Sequence, residues 1–221
     1  IIDCTLEDLD ELIDTERIKI IDKITSTIIT DKSKSKNAII NQEINKNIDS
    51  NWINRIDFGK IESLKNEGFY GFVSVKSLLN NHSQIPTTRG VYMVLRTIMD
   101  EPIFLEKGSG GYFKGTDPNV AIKILQEKWV YNTPVVYIGK AGGKKNKTTL
   151  RSRILQYLKF GQGKPVGHKG GRYIWQLNDS EELLFCWKPL PTDEPEDVES
   201  MLISEFKHQY AGKRPFANLN K

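Results

Sequence analysis

Three short apolar runs constrain the fold of this chain more than any other feature. They are Gly90 to Leu95 (GVYMVL), Pro134 to Ile138 (PVVYI) and Leu183 to Trp187 (LLFCW). Each is rich in β-branched or aromatic residues and too short to make a core helix, so each reads as a strand. The first comes after a turn signal, Pro86-Thr87-Thr88. Between the first two runs lies a long insert, Thr97 to Thr133, with a glycine cluster (Gly108, Gly110, Gly111) and a helical segment, Asn119 to Trp129. After the second run comes a glycine and lysine loop, Gly139 to Lys147, and a helix over Thr149 to Phe160 that Thr149 can cap. The stretch Asp193 to Glu196 (DEPE) offers a cap and a first-turn proline for a last helix, running to about Tyr210.

The chain upstream is of another kind. Residues 1–50 read as an acidic extension, with a helix over Leu6 to Ile28 and a linker at Thr30 to Asn37. Residues 51–84 read as a connecting segment with apolar anchors such as Trp52, Phe58 and Leu64, and a short helix at Ser74 to Asn80. The net charge of +4 is unevenly spread: residues 1–50 hold seven Lys/Arg and eleven Asp/Glu, so the remainder is strongly basic. From Lys128 to Asn178 there are eleven Lys/Arg and no acid, a run long enough to favour anion or nucleic-acid binding over a merely solvated face. Cys4 and Cys186 make neither a disulfide framework nor a zinc site, which leaves a reducing cytoplasm as the expected compartment. No apolar run is long enough for a transmembrane helix.

Gly90-Val91-Tyr92 and Tyr137-Ile138-Gly139, each in a strand-like run, resemble the two signature tripeptides of the GIY-YIG nuclease family. The order of the segments downstream strengthens the resemblance. Leu150-Arg151-Ser152-Arg153-Ile154-Leu155-Gln156-Tyr157 is similar to the family's helix with an arginine and, four residues on, a tyrosine or histidine. Glu199, within Val198 to Ile203, matches its metal-binding glutamate, and Arg214-Pro215-Phe216-Ala217-Asn218 its closing asparagine segment. The resemblance covers about residues 85–221. It implies an α+β domain with a small central three-stranded sheet flanked by helices, preceded here by a mostly helical extension. It also implies a DNA endonuclease that uses one Mg²⁺ or Mn²⁺ ion, in restriction or DNA repair. The connection between the two tyrosine runs is much longer than the tight hairpin of compact family members.

The residues fit such chemistry on their own terms. Phosphodiester hydrolysis needs an activated water, neutralised phosphoryl oxygens and a stabilised leaving oxygen. Glu199, Leu202, Ile203, Phe206 and Tyr210 share one helix face, so a carboxylate opens a core-facing stripe, and a cation there would offset its burial. A favourable interaction with the helix dipole is the plainer alternative, but Glu194, Glu196 and Asp197 already fill that role. Arg153 borders an apolar stripe that includes Tyr157, and its fork suits a phosphate. Tyr92 and Tyr137 are read jointly as orienting and deprotonating water. Buried core tyrosine is the ordinary alternative, since with a pKa of about 10 only about one in a thousand is ionised at neutral pH. Lys140, taken to lie after the second strand in the glycine loop, is a candidate for stabilising phosphate charge. Asn218 either fixes its loop or hydrogen-bonds the site.

Lys144, Lys145, Lys147, Arg151, Lys159, Lys164, His168, Lys169 and Arg172 are the nucleic-acid contact candidates. An exposed loop is an equal reading for His168. DNA is the expected partner, and basic charge alone does not distinguish it from RNA. Two alternatives stand beside the nuclease: a nucleic-acid-binding module of the same fold that does not cut, and a protein-interaction arm in residues 1–84.

Overall fold

A computed structural model describes residues 51–112, 114–144, 146–167 and 171–219. The helix and linker expected within residues 1–50 lie outside them. Among the described residues the sheet has four strands: β1 (Tyr70–Ser74), β2 (Gly90–Leu95), β3 (Val135–Ala141) and β4 (Leu184–Pro189), in the order β1-β4-β2-β3. Every neighbouring pair is antiparallel. The domain is therefore α+β, but the expected three-stranded sheet gains a fourth strand. That strand comes from the segment read as a connector. Its sequence, YGFVS, lacks an apolar alternation, and its pairing with β4 is interrupted by an irregularity between Gly71 and Val73.

Five helices among the described residues flank the sheet: α1 (Ile61–Asn66), α2 (Val75–Asn80), α3 (Ile122–Lys128), α4 (Leu150–Gly161) and α5 (Pro195–Gln209). The strand period of two sorts side chains to two faces. One face carries Tyr92, Val94, Tyr137, Phe185 and Trp187, and packs on Leu150, Ile154, Tyr157 and Leu158 of α4 and on the 3₁₀ turn Arg172–Gln176. The other carries Val91, Met93, Leu95, Ile138 and Cys186, and packs on Val198, Leu202 and Phe206 of α5 and on Ile53, Ile56, Phe58, Leu64 and Phe69. Covered on both sides, β2 is buried along its whole length. Residues 51–84 are thus part of the packed core.

Local chemistry sets the helix starts. Thr149 Oγ1 accepts the Ser152 N–H (3.2 Å) while Ser152 Oγ accepts the Thr149 N–H (2.9 Å), a reciprocal cap. Ser74 caps α2 by accepting from the Ser77 N–H. The expected cap at Asp193 is not used. Pro195 occupies the first turn of α5 behind Glu194, and no side chain caps that end. The Glu194 carboxylate instead accepts the Lys144 N–H at 3.1 Å.

The long insert leaves the strands it joins paired, with one irregularity between Val94 and Leu95 at the end where it departs. β2 and β3 stay paired from Gly90 opposite Ala141 to Leu95 opposite Val135. Buried Arg96 gathers the start of the insert, donating to Asp179 Oδ2 (2.6 Å) and to the carbonyls of Ile98 (2.6 Å) and Asp100 (2.7 Å). Buried Gln176 holds its middle: Oε1 accepts the Val120 N–H (2.9 Å), and Nε2 donates to the carbonyls of Leu105 (3.0 Å) and Val120 (2.9 Å). Replacing Gln176 with Leu strands those backbone groups away from water. We expect Gln176→Leu to cost about 2–3 kcal/mol, read as a lower urea midpoint with an unchanged denaturant slope. An unchanged midpoint would mean the insert is anchored elsewhere.

Candidate functional site

Tyr92 pairs with Gly139 across β2 and β3, and this cross-strand pair organises the site. A Cβ on Gly139 would lie 2.6 Å from Tyr92 Cζ and 2.8 Å from Tyr137 Cε1, so only glycine lets the two rings meet over that position. The Tyr92 and Tyr137 ring centroids are 6.0 Å apart, and those of Tyr137 and Tyr157 are 5.5 Å apart. The three aromatic rings come from β2, β3 and α4 and form one wall.

At the free edge of β3 this wall opens into a cavity of about 760 Å³, within the range of small-molecule and active-site clefts. Tyr137 lines it from the strand, Arg153 from α4, Glu199 from α5 and Asn218 from the C-terminal segment. Lys140, Lys144 and Arg172 line it as well. Lys140 lies within β3, opposite Val91, and not in the loop after it, because the strand continues to Ala141. Its Nζ pairs with Glu196 Oε2 at 3.1 Å. Arg153 Nη1 donates to Gln156 Oε1 at 2.9 Å.

Asn218 acts on the strand edge. Its Oδ1 accepts the Ile138 N–H (2.9 Å) and its Nδ2 donates to the Ile138 carbonyl (2.8 Å), while the Ala217 N–H donates to the Val136 carbonyl (2.9 Å). The side-chain amide thus completes the hydrogen bonding of β3 beside Tyr137.

Tyr92 and Tyr157 do not line the cavity; both are fully buried. The Tyr157 hydroxyl donates to the Gly171 carbonyl at 2.6 Å. Among the described residues the Tyr92 hydroxyl has no partner at hydrogen-bond geometry, although Tyr92 and Tyr137 bias each other's ionisation. Burial raises the pKa of all three phenols. Tyr137 is pushed up to about 12, by desolvation first and then by the Glu199 charge, while Arg153 and Tyr92 oppose the shift. Tyr92 and Tyr157 are raised well above the ordinary value, again chiefly by burial, with Arg153 opposing. In the resting protein all three are neutral at pH 7, so a tyrosinate is not a standing base here.

The basic candidates divide. Lys144 and Arg172 line the cavity, and Lys147 lines a smaller concavity beside it that shares Gly142, Gly143, Asn146 and Thr148. Arg151 does not reach either: its guanidinium donates to the carbonyls of Ile85 (2.9 Å) and Ser83, so it ties a loop instead of facing solvent anions. Lys159 and Lys164 are exposed but line neither concavity. Lys145, His168 and Lys169 lie outside the described residues.

Among the described residues four acids line the cavity: Glu194, Glu196, Asp197 and Glu199. The sequence reading singles out only Glu199. The spacing of Glu196 and Glu199, three apart and on one helix face, is the signal for the second. The donors are hard carboxylate oxygens, which suit Mg²⁺ or Mn²⁺. Among the described residues no three His, Cys, Asp or Glu side chains form a cluster able to hold a metal. Of these acids, Glu199 is the one whose charge acts on Tyr92 and Tyr137. Among the described residues no helix is long and apolar enough to cross a membrane.

No family model, characterised protein or solved structure compared with the chain matches it.

The wall yields two expectations. Tyr92→Phe removes a buried hydroxyl without a hydrogen bond of good geometry and should leave stability within about 0.5 kcal/mol, whereas Tyr157→Phe removes a buried donor and should cost about 1–2 kcal/mol. Equal losses in chemical denaturation would contradict that difference. Second, Glu199→Gln should lower the Tyr137 pKa and Arg153→Gln should raise it, as read from ¹³Cζ tyrosine resonances between pH 8 and 12. Opposite or absent shifts would show that the two charges do not face this phenol.

Proposed function

We propose that this chain is a divalent-metal-dependent endonuclease that hydrolyses phosphodiester bonds in DNA, on an arrangement similar to that of GIY-YIG nucleases. One observation carries the reading: four separate elements bring Tyr137, Arg153, Glu199 and Asn218 to a single open cavity at one strand edge, with Lys140 beside them. Lys140, Lys144, Arg153 and Arg172 line it together with four carboxylates, a mixture of charges that suits a phosphate group held beside a divalent cation.

Each role rests on the chemistry of the group that carries it. Glu199, with Glu196 three residues before it, is the ligand assigned to Mg²⁺ or Mn²⁺. Bound there, the cation would neutralise charge on the phosphoryl and leaving oxygens. Arg153 presents a planar donor fork to the phosphoryl oxygens. Tyr137 is neutral at pH 7, so its hydroxyl orients the attacking water by hydrogen bonding; compensation of the Glu199 charge would lower the Tyr137 pKa, letting the phenol give its proton to bulk water and the resulting tyrosinate take one from the attacking water. Tyr92 and Tyr157 support Tyr137 from within the wall. Asn218 positions it by holding the strand on its far side.

The test is cleavage of supercoiled plasmid with Mg²⁺, Mn²⁺ or chelator, beside Glu199→Ala and Tyr137→Phe. Metal-dependent nicking or linearisation should fall at least 100-fold in both variants. Discrete fragments would indicate sequence recognition, as in restriction, and random nicks a repair role. Salt-sensitive binding without any cleavage would favour the binding module that does not cut. Cleavage that survives Glu199→Ala would remove Glu199 from the mechanism.

A further inference from the structure

A second concavity of about 670 Å³ adjoins the candidate site and shares Asn218 and Leu219 with it. The C-terminal segment therefore forms a ridge: the tyrosine wall and Glu199 lie on one side, and a separate depression on the other. Lys128 at the end of α3, and Lys213 and Arg214 in the loop after α5, supply its charge. Among the described residues Glu127 is the one acid that lines it. None of the three cations has an ion pair among the described residues, so their charge is available to a ligand.

Backbone geometry presents two of them. Beyond α5 the chain turns through Ala211 (φ 49°) and Gly212 (φ 81°), with the Gly212 N–H on the Lys207 carbonyl and the Lys213 N–H on the Tyr210 carbonyl. Lys213 and Arg214 come directly after, before the Pro215-Phe216 segment that enters the core. The insert delivers the third, since α3 lies at its end.

We propose that this second concavity is a subsite for the DNA backbone flanking the cut, in which Lys128, Lys213 and Arg214 each contact a phosphate. The proposal rests on the nuclease reading. A polyanion is a better occupant than a single small anion, because three cations face one carboxylate and the depression adjoins the candidate site across the Asn218-Leu219 ridge. The insert thereby acquires a role: its last helix extends the groove without altering the tyrosine strands.

The measurement is duplex binding by the full chain in chelator, where no cutting occurs, as a function of salt. The groove variant is Lys128→Gln/Lys213→Gln/Arg214→Gln. A control of equal charge change, Lys65→Gln/Lys76→Gln/Lys107→Gln, takes exposed lysines that line neither concavity. Each phosphate contact contributes about 0.9 to the slope of log affinity against log salt. The groove variant should lose about 2–3 from that slope and bind more weakly at every salt concentration, and the control should keep the wild-type slope. Equal slopes for groove variant and wild type overturn the subsite while leaving the nuclease reading intact. Equal losses in variant and control also overturn it, because net charge alone would then explain the effect. A wild type that does not bind the duplex at all overturns the subsite, and the cleavage assay with metal alone decides the nuclease reading.

Discussion

An edge strand exposes a row of N–H and C=O groups that must find partners, and one of the two edges here is β3, the strand that carries Tyr137. The C-terminal segment supplies those partners. Ala217 binds the residue before Tyr137, and the Asn218 amide binds both backbone groups of the residue after it. Aspartate could accept from Ile138 but not donate to it, and leucine could do neither. The main chain on both sides of the central tyrosine is therefore clamped by residues 80 positions away in sequence. Because the clamp uses side-chain atoms and one loop N–H instead of a fifth strand, the edge is satisfied without being covered. That leaves room for an opening where a further strand would have closed the sheet.

Around this edge, opposite charges are delivered from opposite faces. Arg153 comes from α4, which packs on the tyrosine face, and Glu199 from α5, which packs on the other. Both act on Tyr137 through space, with opposite sign, and burial outweighs either. The phenol therefore responds to the charge state of its neighbours while remaining protonated at rest. A change at Glu199 is felt directly, because its charge is the second-largest influence on Tyr137 after desolvation.

The parts of this arrangement legible in the sequence are those with a local physical signature. Gly90 to Leu95 reads as a strand because it is buried on both faces and so is apolar at every position. Thr149 announces α4 by its cap, and the Arg153 and Tyr157 spacing is that of one helical turn. β1 is hidden because Tyr70 to Ser74 is half-exposed and carries Gly71, and it is a strand only through pairing with β4, more than a hundred residues on. Lys140 reads as a loop residue because glycine at 139 looks like part of a turn. In fact that glycine makes room for the Tyr92 ring inside a continuous strand. Arg151 and Arg153, two apart on one helix, look alike as basic residues. Their different uses depend on the carbonyls of Ser83 and Ile85, which no local pattern brings near.

The insert shows how a hairpin connection can lengthen while the strands it joins stay paired. Loop closure becomes only slowly more expensive with length, so the main requirement is that the added backbone finds polar partners and the added apolar groups find cover. Arg96 and Gln176 meet the first requirement from positions just outside β2 and within the turn after α4. Phe104, against Trp129 and Phe216, meets the second. Phe216 stands two residues before Asn218, so the aromatic cluster that seats the insert also seats the segment that clamps β3. Packing thus links Trp129 and Phe104 to the strand of Tyr137 through Phe216 and Asn218, although neither residue lines the cavity.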